Sequence, residues 1–175
     1  MNEVDWSRSE RVFGCPWFQV ERAGNWHRIT GCAGAVCVAL RPDGGVVMVE
    51  VFRPATGRLS LELPRGGAAP GDDGPAATAL RELREETGYI GVPHSAHVLG
   101  RIHPDQGLLA HAVDVVQVRT GAEPVAARDD EAHSVRVMRP EEIRAALLAN
   151  EITCGITMAA LALALPPEAA TLAVQ

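Results

Sequence analysis

Gly67–Tyr89 reads GAAPGDDGPAATALRELREETGY, and the reading of this stretch decides the fold. A loop rich in Gly, Pro and Asp gives way at Ala76 to helical spacing, with Ala76, Leu80, Leu83 and Thr87 on one face. Asp72 or Asp73 is placed to cap the start, and Gly88 to end the helix in the left-handed conformation. Glu82, Glu85 and Glu86 are spaced i, i+3, i+4, so their carboxylates gather on one face, expected opposite the Leu80/Leu83 stripe. Like charges this close repel, and a hard divalent cation with oxygen ligands, such as Mg²⁺, removes the repulsion. These residues alone leave open the alternative of a solvated acidic face tied to Arg81 and Arg84. The preceding Gly-rich loop, which lets backbone approach a metal or anion closely, favours the metal.

Working outward, Gly34–Leu40 (GAVCVAL) and Val46–Phe52 (VVMVEVF) are apolar runs joined by the turn Arg41–Gly45, which predicts a hairpin buried in a sheet. Leu59–Leu63 alternates like a strand with one wet face, and Pro64–Pro75 reads as a loop. Further strands are expected at His97–His103, His111–Val118 and Ser134–Met138, and helices at Pro140–Asn150 and Gly155–Leu165. Mixed order of this kind implies an α/β (α+β) chain built as an α/β/α sandwich. Two parts are expected: an N-terminal β segment over residues 1–33 and the main domain over 34–175. The segment Arg11–Thr30 carries Phe13, Trp17, Phe18 and Trp26, more aromatic surface than so short a piece buries alone.

The totals narrow the function. A chain of 175 residues, 47% hydrophobic and 22% charged, is long enough for one domain with a full core. A net charge of -6 argues against nucleic acid as a partner. All 16 basic residues are Arg, so anion contacts must come from guanidinium forks, backbone N–H groups or a metal. Cys15, Cys32, Cys37 and Cys154 form no C-x-x-C pair and no zinc spacing. The polar, acidic first residues lack the pattern of a signal peptide, and the apolar stretch Ile156–Leu165 is too short to span a bilayer. No membrane partner and a cytoplasmic location are the expectations.

The segment from Gly67 resembles the Nudix box, G-x5-E-x7-R-E-U-x-E-E-x-G-U with U a bulky aliphatic, and Arg81–Gly88 (RELREETG) matches its core in register. Two positions depart: Asp73 stands where the family has Glu, and Tyr89 at the final aliphatic place. Val51–Pro54 (VFRP), Leu61–Gly67 (LELPRGG) and Gly155–Ala160 (GITMAA) are similar to the ADP-ribose and nucleotide-sugar pyrophosphatases, and the likeness covers roughly residues 30 to 165. The resemblance implies a mixed-sheet Nudix fold and Mg²⁺-dependent (or Mn²⁺-dependent) hydrolysis of a pyrophosphate bond in a small nucleotide.

It also implies roles. Glu82, Glu86 and Glu85 with the Gly67 carbonyl would hold metal. Arg81 would orient the carboxylates, with Asp73 as its usual loop partner. Glu131, in the acidic run Arg128–Glu131, would act on the attacking water, with a solvated turn as the alternative. Arg53 and Arg65 would grip substrate phosphates. Pro104, fifteen residues beyond Tyr89, sits about where ADP-ribose enzymes carry a Pro. Trp17 or Trp26 would stack the base, with core or dimer packing as the alternative, and Arg11–Thr30 would help form a homodimer. ADP-ribose is the expected substrate. GDP-mannose, a dinucleotide, an oxidised nucleoside triphosphate, coenzyme A, or a nucleotide-binding regulatory role without turnover are the alternatives.

Overall fold

The computed structural model describes residues 4–31, 33–130 and 132–165. After a short 3-10 turn, three strands come first: β1 (Glu10–Gly14), β2 (Phe18–Ala23) and β3 (Trp26–Gly31), paired antiparallel in the order β1-β2-β3. No described residue of this small sheet is buried.

The larger sheet holds β4 (Gly34–Leu40), β5 (Val46–Arg53), β6 (Arg58–Glu62), β7 (Arg65–Gly67), β8 (His97–Ile102), β9 (Val113–Arg119) and β10 (Ala132–Met138). Its spine runs β10-β5-β4-β9-β8, with β6 on β5 and β7 on β4. The β4–β9 pairing is parallel and the others are antiparallel, so the sheet is mixed. Helix α1 (Gly74–Thr87) covers one face, while α2 (Pro140–Leu148) and α3 (Gly155–Ala164) follow β10 and cover the other.

The continuous apolar run of β4 follows from this layering, because both its faces are covered. Val36 and Val38 pack with Met48, Ile143 and Leu161 on the α2/α3 side. Ala35, Cys37 and Ala39 pack with Ala79 and Leu83 of α1 on the other. Beyond the turn, β5 meets β4 only where Leu40 faces Val46. The rest of that edge of β4 takes β7, with Gly34 opposite Gly67. The expected loop Pro64–Pro75 therefore opens with a strand, and that pairing brings the Gly-rich segment alongside α1.

Two local expectations are corrected. Leu59–Leu63 does not carry a wet face at Glu62, which is only 2% exposed; two arginines cover it. The acids of α1 do not all face away from the core, since Glu82 and Glu86 are buried with Leu83 on the sheet side. A 3.6-residue period puts residues 82, 83 and 86 within one third of a turn, so a helix that buries one of them buries all three.

Candidate active site

Helix α1 is fixed at both ends. Gly88 has φ 74°, and its N–H donates to the Arg84 carbonyl, closing the last turn. A β-carbon at Gly88 would collide with the Ala126 carbonyl, because the loop before β10 lies tight against this turn. Val125 and Ala126 donate to the Gly88 carbonyl at 3.0 Å, and Asp129 N–H donates to the Glu85 carbonyl at 2.7 Å. The acidic loop is thereby held beside the turn that carries Glu85 and Glu86. Glu131 itself lies outside the described residues. Tyr89 is buried, and its hydroxyl accepts from Arg41 Nη1 at 3.3 Å, so the ring fills the aliphatic place while its polar end finds a partner at the β4–β5 turn.

Arg81 is the hub of the other end. Its Nη2 donates to the Gly67 carbonyl at 2.7 Å and to Asp72 Oδ2 at 3.2 Å. Its Nη1 lies 2.7 Å from Glu82 Oε1 and 2.8 Å from Glu85 Oε2. One guanidinium thus joins the loop to the helix. The loop partner is Asp72, not Asp73. Asp72 also accepts from Ala69 N–H and Thr78 Oγ1, both at 2.9 Å, whereas Asp73 occupies the N-cap position without a side-chain hydrogen bond. The shorter Asp side chain does the work from one residue earlier. The adjacent acids were both visible in the sequence, but only the loop's path selects between them. The Arg81 hydrogen bond, chiefly, lowers the Asp72 carboxyl to about 2, and the same contact raises the Arg81 pKa.

The backbone beside these acids has little room. A β-carbon on Gly66 would strike the Glu82 carboxylate, so a side chain at this position would displace that carboxylate. Glu86 lies deeper, close enough to raise the pKa of the buried Cys37 thiol, for which burial is the larger cause. Among the described residues no three such side chains already converge on one point as a metal cage. Asp72, Glu82 and Glu85 instead turn to Arg81, one positive charge among three carboxylates, with the buried Glu86 on the same helix. The surplus of negative charge, all of it on oxygen, fits a divalent cation.

Arg53 and Arg65 meet at a residue the sequence reading overlooked. Glu62 Oε1 accepts from Arg53 Nε at 3.0 Å, and Oε2 from Arg53 Nη2 and Arg65 Nε, each at 2.9 Å. Burial alone would raise the Glu62 carboxyl, but the Arg53 hydrogen bond and the charges of Arg65 and Arg53 outweigh it and hold it at about 2. A polar residue inside the apolar alternation of β6 was the available signal. Trp17, 81% exposed, lines an apolar cleft of about 760 Å³ together with Phe18, Leu109, Gly67 and Arg81. Pro104 is exposed on the same β8–β9 connection that supplies Leu109, but it is not part of the cleft wall. Trp26 lies apart from the cleft as well.

A model of the NUDIX domain matches residues 32–154. The chain is 47% identical over 57 residues to an ADP-ribose pyrophosphatase of Bacillus subtilis (strain 168), a stretch covering 32% of this chain and 30% of that protein. The same figures hold for a methanol dehydrogenase activator of Bacillus methanolicus. An ADP-sugar pyrophosphatase of Mus musculus is 52% identical over 46 residues, 26% of this chain and 21% of that protein. These matches span less than a third of the relatives' length. A crystal structure described as an ADP compounds hydrolase superposes with a TM-score of 0.73 over 94% of this chain and 93% of that one, at 16% identity, a likeness of fold.

Proposed function

The chain belongs to the Nudix family, whose domain spans residues 32–154, and from that premise we propose that it hydrolyses ADP-ribose to AMP and ribose 5-phosphate in a Mg²⁺-dependent reaction. The observation that carries this reading is the Arg81 hub, which gathers Glu82, Glu85, Asp72 and the Gly67 carbonyl at the mouth of an apolar cleft. Glu82, Glu85 and Glu86 with the Gly67 carbonyl would hold the metal. Bound there, Mg²⁺ supplies charge neutralisation on the diphosphate and on the leaving oxygen.

The remaining roles fall to the chain's own groups. Arg81 keeps the carboxylates aligned through charge-assisted hydrogen bonds. Glu131 takes the proton from the attacking water as its oxygen bonds to phosphorus and the bridging P–O bond breaks, with one phosphate ester leaving. Glu62 aligns Arg53 and Arg65, and their surplus positive charge attracts the substrate's phosphates. That charge suits a diphosphate better than a triphosphate. Trp17 stacks the base, and the loop carrying Pro104 borders the cleft. The likeness to an ADP-ribose pyrophosphatase of Bacillus subtilis and an ADP-sugar pyrophosphatase of mouse supports an ADP-linked substrate.

The small sheet buries none of its described residues and leaves Phe13, Trp17 and Trp26 exposed, which supports a homodimer formed through residues 11–30. Free thiols at Cys15, Cys37 and Cys154 support a cytoplasmic location, and among the described residues no helix is long and apolar enough to cross a membrane. The test is a Mg²⁺-dependent hydrolysis screen over nucleotide sugars, dinucleotides and triphosphates, read by product identity. ADP-ribose should give the highest kcat/KM, and Glu86→Gln should abolish most turnover while the fold persists. A kcat/KM about tenfold higher on GDP-mannose, a dinucleotide or a triphosphate, equivalent to about 1.4 kcal/mol, would overturn the substrate.

A further inference from the structure

Two clefts meet at His111. One is the apolar cleft that holds Trp17 and Arg81. The other, more polar, is lined by Thr30, Arg101, His103 and Asp114. Gly31 and His111 belong to both walls. The chain just before His111 is stitched to the small sheet: Ile29 N–H donates to the Leu108 carbonyl at 2.8 Å, and Ala110 N–H to the Ile29 carbonyl at 2.9 Å. His111 therefore stands at the seam between the two sheets, immediately before β9.

Its ring is held in an incomplete environment. The Nδ1 atom is buried and has no hydrogen-bond partner. A β-carbon built on Gly31 would lie 3.7 Å from Nδ1 and 3.9 Å from Cε1, so this edge of the ring faces Gly31 across about the width of a methyl group. A half-turn about Cβ–Cγ exchanges Nδ1 with Cδ2 at nearly constant shape and takes the nitrogen out of that buried, unpartnered position. Buried polar atoms are rarely left unpaired without a reason, and here the neighbouring space is a cleft.

The chemistry of the cleft wall says what the ring would read. Among the described lining residues, the side-chain polar groups are the Trp17 indole N–H, the Arg81 guanidinium and the His111 imidazole. The first two only donate, whereas a neutral imidazole keeps one nitrogen as an acceptor. The wall thus offers a single side-chain acceptor, matched to a flat ring that bears an amine donor. We propose that His111 is a specificity-determining residue that accepts a hydrogen bond from the 6-amino group of an adenine base in the apolar cleft. This rests on the nucleotide reading above, and its test does not require turnover.

Calorimetry on the full chain, without added metal, would compare AMP with purine riboside 5′-monophosphate, which is AMP without the amine. AMP should bind about tenfold tighter, the effect of one hydrogen bond. In His111→Phe the ratio should fall to near one. His111→Asn restores an acceptor oxygen and should keep the preference; His111→Met replaces the Phe variant if circular dichroism finds that variant unfolded. A ratio near one in the unaltered protein, or an unchanged ratio in His111→Phe, overturns the inference. Failure of both nucleotides to bind overturns it together with the base assignment. An AMP preference that depends on His111, in a chain that does not hydrolyse ADP-ribose, overturns only the substrate.

Discussion

Replacing Glu62 by Gln tests the buried carboxylate that joins Arg53 to Arg65, the two arginines proposed to bind phosphate. The substitution keeps shape and removes one negative charge. Glu62 is 2% exposed, and its carboxyl is held at about 2 against an ordinary 4.5. A drop of that size corresponds to about 3 kcal/mol of preference for the ionised form in the folded chain. Removing the charge also leaves Arg53 and Arg65 facing each other across a neutral amide, and breaking a buried pair in this way costs about 3–5 kcal/mol. Glu62→Gln should therefore lose about 3 kcal/mol at pH 7, or roughly 10 °C in Tm for a chain of this length. The sign of the pH dependence follows from the depressed pKa. Stability from Glu62 is fully present above pH 4.5 and is lost as pH falls toward 2. Urea denaturation followed by tryptophan fluorescence at several pH values measures both. The gap between the two proteins should be widest at pH 7 and narrow steadily below pH 4.5. A gap under about 1 kcal/mol at pH 7, or one that stays constant into acid, would refute the reasoning.

Asp72→Asn and Asp73→Asn should behave differently: the first loosens the Arg81 clamp and raises the Mg²⁺ concentration needed for half-maximal rate several-fold, while the second leaves it within about twofold, as a metal titration of initial rates would reveal. Tyr89→Phe removes the hydroxyl that accepts from Arg41 and should cost about 1 kcal/mol in thermal or urea melts; a neutral result would mean the 3.3 Å contact contributes nothing. Glu131→Gln should lower kcat more than it raises KM, and unchanged kcat and pH–rate profiles would move the role to Glu85. Light scattering at micromolar concentration should give a dimer, and a fully active monomer would remove the N-terminal sheet from both interface and base pocket.

Local pattern was enough for the helix, its left-handed end at Gly88, the buried strands β4 and β5 with the turn between them, and the three acids with their arginine, because periodicity, capping and turn chemistry act over a few residues; that the two strands part after Leu40 and Val46 was not legible. The alternation of Leu59–Leu63 and the acidic face of α1 were misread for the same reason. Period alone tells which residues share a face, not what that face meets, and Glu62, Glu82 and Glu86 are buried by partners elsewhere in the chain. Asp72 could not be chosen over Asp73 without the path of the loop past Arg81. The joining of Arg53 to Arg65 through Glu62 needed β5 and β6 in register. His111 carried no usable spacing at all; its meaning arises only where the β8–β9 connection pairs with Ile29 and closes the seam between two sheets. Sequence by itself determined the family, the fold and the helix that carries the chemistry, since these are written in residues close along the chain. Tertiary structure decided which charges are buried, which acid pairs with Arg81 and which side chains line the apolar cleft, since those depend on burial and distance between residues that are neighbours only after folding.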